Sequence, residues 1–163
     1  MKTLWTPWRM EHVTSTAPAF QGCLFEPAGA ARQDKETLLL YRGKSIVLLN
    51  RFPYANGHLL VAPKRHVGCL TELTPAENSA LFIMVQKSSE ILKKHLRPDG
   101  LNIGLNIGAP AGAGIADHLH VHIVPRWEGD HNFMTVLGEI RTIPEHIEKT
   151  WDNLAPYFTE VAE

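Results

Sequence analysis

Between Ala116 and Arg126 the chain reads Ala-Asp-His-Leu-His-Val-His-Ile-Val-Pro-Arg, so histidine alternates strictly with Leu, Val and Ile. A period of two belongs to an extended strand. His118, His120 and His122 are therefore expected on one face, and Leu119, Val121 and Ile123 on the other, in a core. A strand rises about 3.3 Å per residue, which puts neighbouring histidines about 7 Å apart at Cα and the outer two about 13 Å apart. Immediately upstream runs Gly108-Ala109-Pro110-Ala111-Gly112-Ala113-Gly114, a loop with little side chain.

Three readings compete for the imidazole row. One is a solvated strand that happens to be rich in histidine. Another is a metal site, since two strand histidines at i and i+2 reach one zinc, although the outer pair is too far apart for all three to share an ion. The third is nucleophilic catalysis. A neutral imidazole is a good nucleophile near pH 7, and flanking imidazoles set its tautomer and hand a proton to a leaving group. Backbone N–H groups of the glycine loop, around Gly112, Ala113 and Gly114, then approach a phosphoryl anion closely. Neither a Walker A pattern nor a G-x-G-x-x-G opening a helix is present, which sets aside an ordinary nucleotide cradle.

The chain of 163 residues, 44% hydrophobic and 20% charged, reads as one soluble domain over 1–163, with an N-terminal arm over 1–20 and a helical extension over about 140–163. A formal net charge of −1 gives no footprint for duplex DNA or RNA or for an acidic membrane, so phosphate binding must be local. Two cysteines, Cys23 and Cys69, make no disulfide framework. No apolar run approaches a membrane span, and the opening with Trp5, Pro7, Trp8 and Arg9 is not a signal peptide; a cytoplasmic protein is expected. The two indoles of the arm suit packing on the body or on a partner subunit, or contact with a base.

Strands are expected over 38–41, 45–50, 58–62 and 101–107, separated by Arg42-Gly43-Lys44, Pro53 and Asn56-Gly57. Asn50 is a strand-end turn former and His58 opens the third strand. The long helix spans Pro75 to about Leu96, with Thr74 as N-cap and Glu77 closing a T-x-x-E capping box. Its Leu81, Met84, Val85, Ser88, Ile91, Leu92 and His95 form one stripe. Asn106 sits by the glycine loop, either donating to a phosphate or capping a turn. Trp127 either stacks on a ligand or seals the rim. Pro144 opens a final segment in which Ile147, Trp151, Leu154 and Phe158 share a face. Strands, helix, strands, helix in that order indicate an α+β fold with an antiparallel sheet.

The run His118-Leu119-His120-Val121-His122-Ile123-Val124 resembles the signature of the histidine triad (HIT) family. The resemblance extends through Pro125–Asp130 and Asn132-Phe133-Met134, and back to Leu49–Tyr54 and Asn56–Pro63. Leu4–Met10 and Asn102–Gly108 look like the bacterial branch that contains diadenosine tetraphosphate phosphorylases and hydrolases. It implies a five-stranded antiparallel sheet carrying the long helix, a C-terminal helix, and a homodimer whose sheets join. It implies that His120 attacks an α-phosphorus, that His122 contacts the phosphates and helps the leaving group, and that the His118 carbonyl orients His120. Asn50 and His58 would line the nucleoside pocket. The implied function is cleavage of dinucleoside polyphosphates through a nucleotidyl-histidine, as a phosphorylase or a hydrolase. A nucleoside phosphoramidase and a non-catalytic nucleotide-binding protein are the alternatives. Zinc-carrying relatives have Cys-x-x-Cys near the N-terminus, completed by two histidines; the matching positions are Cys23, Glu26, His66 and His118, with Glu26 in place of the second cysteine. No carboxylate cluster marks a protein-bound Mg²⁺, so that ion is expected to arrive with substrate.

Overall fold

A computed structural model describes residues 22–26, 31–130 and 143–161. The tryptophans of the N-terminal arm and the Asn132–Met134 stretch lie outside the described residues. Five strands, β1 (Leu39–Arg42), β2 (Ser45–Leu49), β3 (Leu59–Pro63), β4 (Gly100–Leu105) and β5 (Val121–Arg126), form one antiparallel sheet in the order β1-β2-β3-β5-β4. Two helices, α1 (Pro75–His95) and α2 (Ile147–Thr159), complete the α+β fold. No helix among the described residues is long and apolar enough to cross a membrane.

Strand alternation sorts the core into two clusters. Val47, Leu49, Leu59, Val61, Val121 and Ile123 pack with Leu81, Met84, Val85 and Leu92 of α1 and with Leu154 and Phe158 of α2. On the opposite face Ile46, Leu48, Leu60 and Ala62 pack with Phe25 and Leu39. β2 and β3 are buried on both faces, which is why they read as apolar runs. Each fully buried Leu or Phe contributes about 1.5–3 kcal/mol.

α1 begins as its sequence dictates. Thr74 accepts from the Glu77 N–H, and the Glu77 side chain accepts from the Thr74 N–H. The helix ends one residue earlier than expected, and Arg97 beyond it takes a left-handed φ of 50°. β4 stops at Leu105, short of the expected Ile107. Leu105↔Val121 is its last pair, and Gly108 at φ 81° starts a 3₁₀ turn over Ala109–Ala111. His118 and His120 precede β5 and so lie outside the ladder, where Leu119 donates its N–H to the Val67 carbonyl at 2.6 Å.

Gly57 is fixed twice over. Its φ is 73°, and an added Cβ would lie 2.3 Å from Leu96 Cδ1 of the α1 cap. Gly57→Ala is expected to lower stability by about 1–3 kcal/mol, or several degrees in Tm. A thermal melt unchanged from wild type would contradict this account of the turn that delivers His58.

Candidate active site

The second face of the sheet gathers the histidines. His58 and His118 are fully buried, His120 nearly so, and His122 is half-buried. The His120 and His122 rings meet edge to face with centroids 4.9 Å apart. Phe25, itself fully buried, lies 4.8 Å from the His118 ring and 5.4 Å from that of His120.

Hydrogen bonds fix the ring nitrogens. His120 Nδ1 lies 2.8 Å from the His118 main-chain oxygen. A carbonyl only accepts, so Nδ1 carries the hydrogen and Nε2 keeps its lone pair. Burial pushes the His120 pKa below its ordinary value, favouring the neutral ring, while the bond to the His118 carbonyl works the other way. The Tyr54 N–H donates to His58 Nδ1 at 3.1 Å, and the Asn50 amide approaches the same nitrogen at 3.3 Å. His58 Nε2–H therefore donates to His122 Nδ1, 3.0 Å away, and neutral His122 carries its hydrogen on Nε2. Asn50 Oδ1 accepts from the Phe52 N–H at 3.0 Å, so this amide is built into the turn. Tyr54 stacks on His58 with centroids 4.9 Å apart.

Next to His118 lies a cluster of metal-type donors. One ligand atom each from Cys23, His66 and His118 falls within 4.8 Å of the others. His118 Nε2–H donates to the Pro63 carbonyl at 2.9 Å, leaving Nδ1 facing Cys23 Sγ at 3.0 Å. Burial pushes the Cys23 thiol up, and it also lowers the His118 pKa. Glu26 is outside the three-residue group, with its carboxylate 3.9 Å from His66 Nδ1.

The glycine loop is more self-contained than its sequence suggests. The N–H groups of Gly112 and Ala113 bond to the carbonyls of Ala109 and Gly108, so of the three expected donors only Gly114 makes no such bond among the described residues. Asn106 Nδ2 donates to the Gly112 carbonyl at 3.4 Å. Trp127 is half-buried. It lies beyond β5, five residues past His122 or about 16 Å along a strand, with its N–H 3.4 Å from Asp130. Sequence reasoning missed Phe25, Tyr54, the Pro63 carbonyl, and Arg126, whose guanidinium is held by Asp130 and Asn102.

The sequence model of the HIT domain matches residues 31–129. An AP-4-A phosphorylase of Mycobacterium tuberculosis (strain H37Rv) is 40% identical over 157 residues, covering 92% of this chain and 80% of that protein. An asymmetrical bis(5'-nucleosyl)-tetraphosphatase of Schizosaccharomyces pombe is 36% identical over 121 residues, covering 74% of this chain and 63% of that protein. Among solved structures, a zinc-bound histidine triad family protein of Mycobacterium smegmatis superposes with a TM-score of 0.60 at 28% identity, covering 76% of this chain and 84% of that one.

Proposed function

Because the chain belongs to the HIT domain family, we propose that it is an enzyme that cleaves dinucleoside polyphosphates at an α-phosphate, with His120 as nucleophile. The observation that carries this reading is the bond from His120 Nδ1 to the His118 carbonyl, which leaves the Nε2 lone pair to attack. In the first displacement a bond forms between Nε2 and the α-phosphorus, and the bond from phosphorus to the bridging oxygen breaks. That oxygen keeps the electron pair and takes the Nε2 proton of His122. In the second, inorganic phosphate or water attacks and gives its proton back to His122 Nε2, the phosphorus–nitrogen bond breaks, and its electron pair returns to His120. His58, Asn50 and the Tyr54 N–H hold the His122 tautomer for this task, and the Gly114 N–H with Asn106 faces the phosphoryl oxygens. Magnesium, if used, would be held by the polyphosphate and not by a carboxylate cluster of the chain, and would offset the charge on its oxygens.

The test is diadenosine tetraphosphate with and without inorganic phosphate. ADP plus ATP, formed only with phosphate, identifies a phosphorylase. AMP plus ATP without phosphate identifies an asymmetric hydrolase. No cleavage beside rapid hydrolysis of an adenosine 5'-phosphoramidate moves the assignment to a phosphoramidase; no turnover of either makes the pocket a nucleotide-binding site.

The donor set beside the nucleophile fits zinc. One thiol and two imidazoles are preferred zinc ligands, and the Pro63 carbonyl fixes the His118 tautomer as an outer-shell partner does. Glu26, whose carboxylate lies 3.9 Å from His66 Nδ1, would supply the fourth ligand. Zinc there would act as a structural tether, and it would require the Cys23 thiolate. Cys23→Ser or chelation is expected to lower Tm by roughly 5–10 °C, with about one zinc per chain in the wild type by elemental analysis; metal-free protein with an unaltered melt rejects the site.

A homodimer joined along β4 also fits. This edge strand offers unpaired backbone groups, and its Ile103 is 49% exposed. Sedimentation at micromolar concentration is expected to give twice the chain mass, and a single-chain mass removes the dimer.

A further inference from the structure

Attack by His120 divides the substrate in two, and the surface on either side of His122 is unlike. Toward β3, His122 pairs with Leu60, which belongs to the apolar cluster with Leu48 and Phe25. Toward β4 it pairs with Gly104, and there the sheet is open and polar. A groove of about 310 Å³ runs over β4 and β5, lined among others by Tyr54, Asn102, Gly104, Asn106, His122 and Arg126. We infer that this groove seats the departing polyphosphate, with Arg126 as its phosphate receptor and Gly104 as the floor that makes room for it. The inference rests on the reading of His120 as nucleophile and adds the place of the leaving half.

Four observations carry it. First, position: the groove begins at His122, the residue that would give the leaving oxygen its proton, and ends at Arg126, about 13 Å further along the strand. A chain of phosphates departing from the α-phosphorus follows that line. Second, charge: Arg126 is the one formally charged residue among the described residues lining the groove, and its ion pair with Asp130 offsets part of that charge without removing the guanidinium as a donor. Third, preorganisation: Asp130 takes the guanidinium at 2.6 and 2.9 Å and Asn102 at 2.9 Å. The fork is thus held in one orientation before any anion arrives, which reduces the ordering cost of binding. Fourth, space: a Cβ added at Gly104 would meet nothing within 4 Å. The chain tolerates a side chain there, so the room above the residue is not needed for packing within it. A polyanion needs polar donors, and these are found on the β4 side of His122.

Two measurements test the groove, one of them independent of turnover. Inorganic tripolyphosphate is titrated calorimetrically into wild type, Gly104→Val and Arg126→Ala. The ratio of kcat/KM for diadenosine tetraphosphate to that for an adenosine 5'-phosphoramidate, whose leaving group has no phosphate, is then compared. Both substitutions are expected to weaken tripolyphosphate, and to lower the ratio, by about tenfold or more, as loss of a charge-assisted contact implies. Gly104→Val leaves the Asp130 and Asn102 bonds of Arg126 in place, so it decides the matter if Arg126→Ala misfolds. Unchanged affinity and an unchanged ratio in Gly104→Val, or no tripolyphosphate binding by wild type, overturns the groove while leaving the nucleophile standing. Tripolyphosphate binding lost in both variants of a protein that cleaves neither substrate upholds the groove and sinks the nucleophile.

Discussion

His120→Ala is expected to lower turnover of diadenosine tetraphosphate by about 10⁴-fold or more, because it removes the atom that bonds to phosphorus and no other group replaces it. Nucleotide affinity should change little, since the contacts expected to hold the base, ribose and leaving polyphosphate come from other residues. The ring is 3% exposed, so its loss leaves a small cavity, and a melt establishes that the variant is folded. Wild type mixed with substrate labelled at the α-phosphorus and quenched in alkali, in which a phosphorus–nitrogen bond to imidazole survives, should show label on this residue alone. Turnover near wild type in the variant, or label elsewhere, would falsify the mechanism. His120→Gly supplied with free imidazole gives a second arm, in which recovery of activity marks a nucleophile rather than a scaffold.

The second large effect is that of His122. Its Nε2 hydrogen is the proton offered to the leaving oxygen, and loss of a general acid costs about 10²–10⁴-fold. The loss should depend on the leaving group. An adenosine 5'-phosphoramidate departs as an amine, which needs a proton on its nitrogen before the bond breaks. A p-nitrophenyl ester of AMP departs as a stable phenolate and gains little. His122→Ala is therefore expected to reduce kcat on the phosphoramidate by at least about tenfold more than on the nitrophenyl ester. Equal losses on both substrates would assign His122 to binding and not to proton transfer. His58→Leu should show the same substrate dependence in weaker form, because His58 acts only by fixing which nitrogen of His122 carries the hydrogen.

The local features were legible in the sequence. The period of two around His120 located the histidine row and the core residues Leu119, Val121 and Ile123, all at most 2% exposed. The spacing of Thr74 and Glu77 announced the start of α1. These signals are written within a few residues of each other. What escaped depends on contacts between distant segments. The Cys23–His118 approach, which joins residues 95 apart, was offered only by the family resemblance, and the Pro63–His118 bond, which joins residues 55 apart, was not foreseen. The latter uses a main-chain oxygen, which every residue type possesses, so no residue choice advertises it. The glycine loop misled for the opposite reason: small residues promise exposed N–H groups, and a tight 3₁₀ turn consumes two of them. Arg126 was passed over because a charged residue at a strand end is ordinary until Asn102 and Asp130 are seen to grip it.

The series Tyr54 N–H, His58, His122 has a direction, and a peptide group sets it. A peptide hydrogen cannot be moved to the other side of its nitrogen, so the series behaves as a one-way valve whose arrow points at the substrate. A carboxamide at position 58 has both an acceptor and a donor and keeps the arrow, whereas a hydrocarbon erases it. The choice of which imidazole nitrogen meets the phosphates is thus made by the bend of the main chain at Tyr54, two hydrogen bonds back from the ring that meets them.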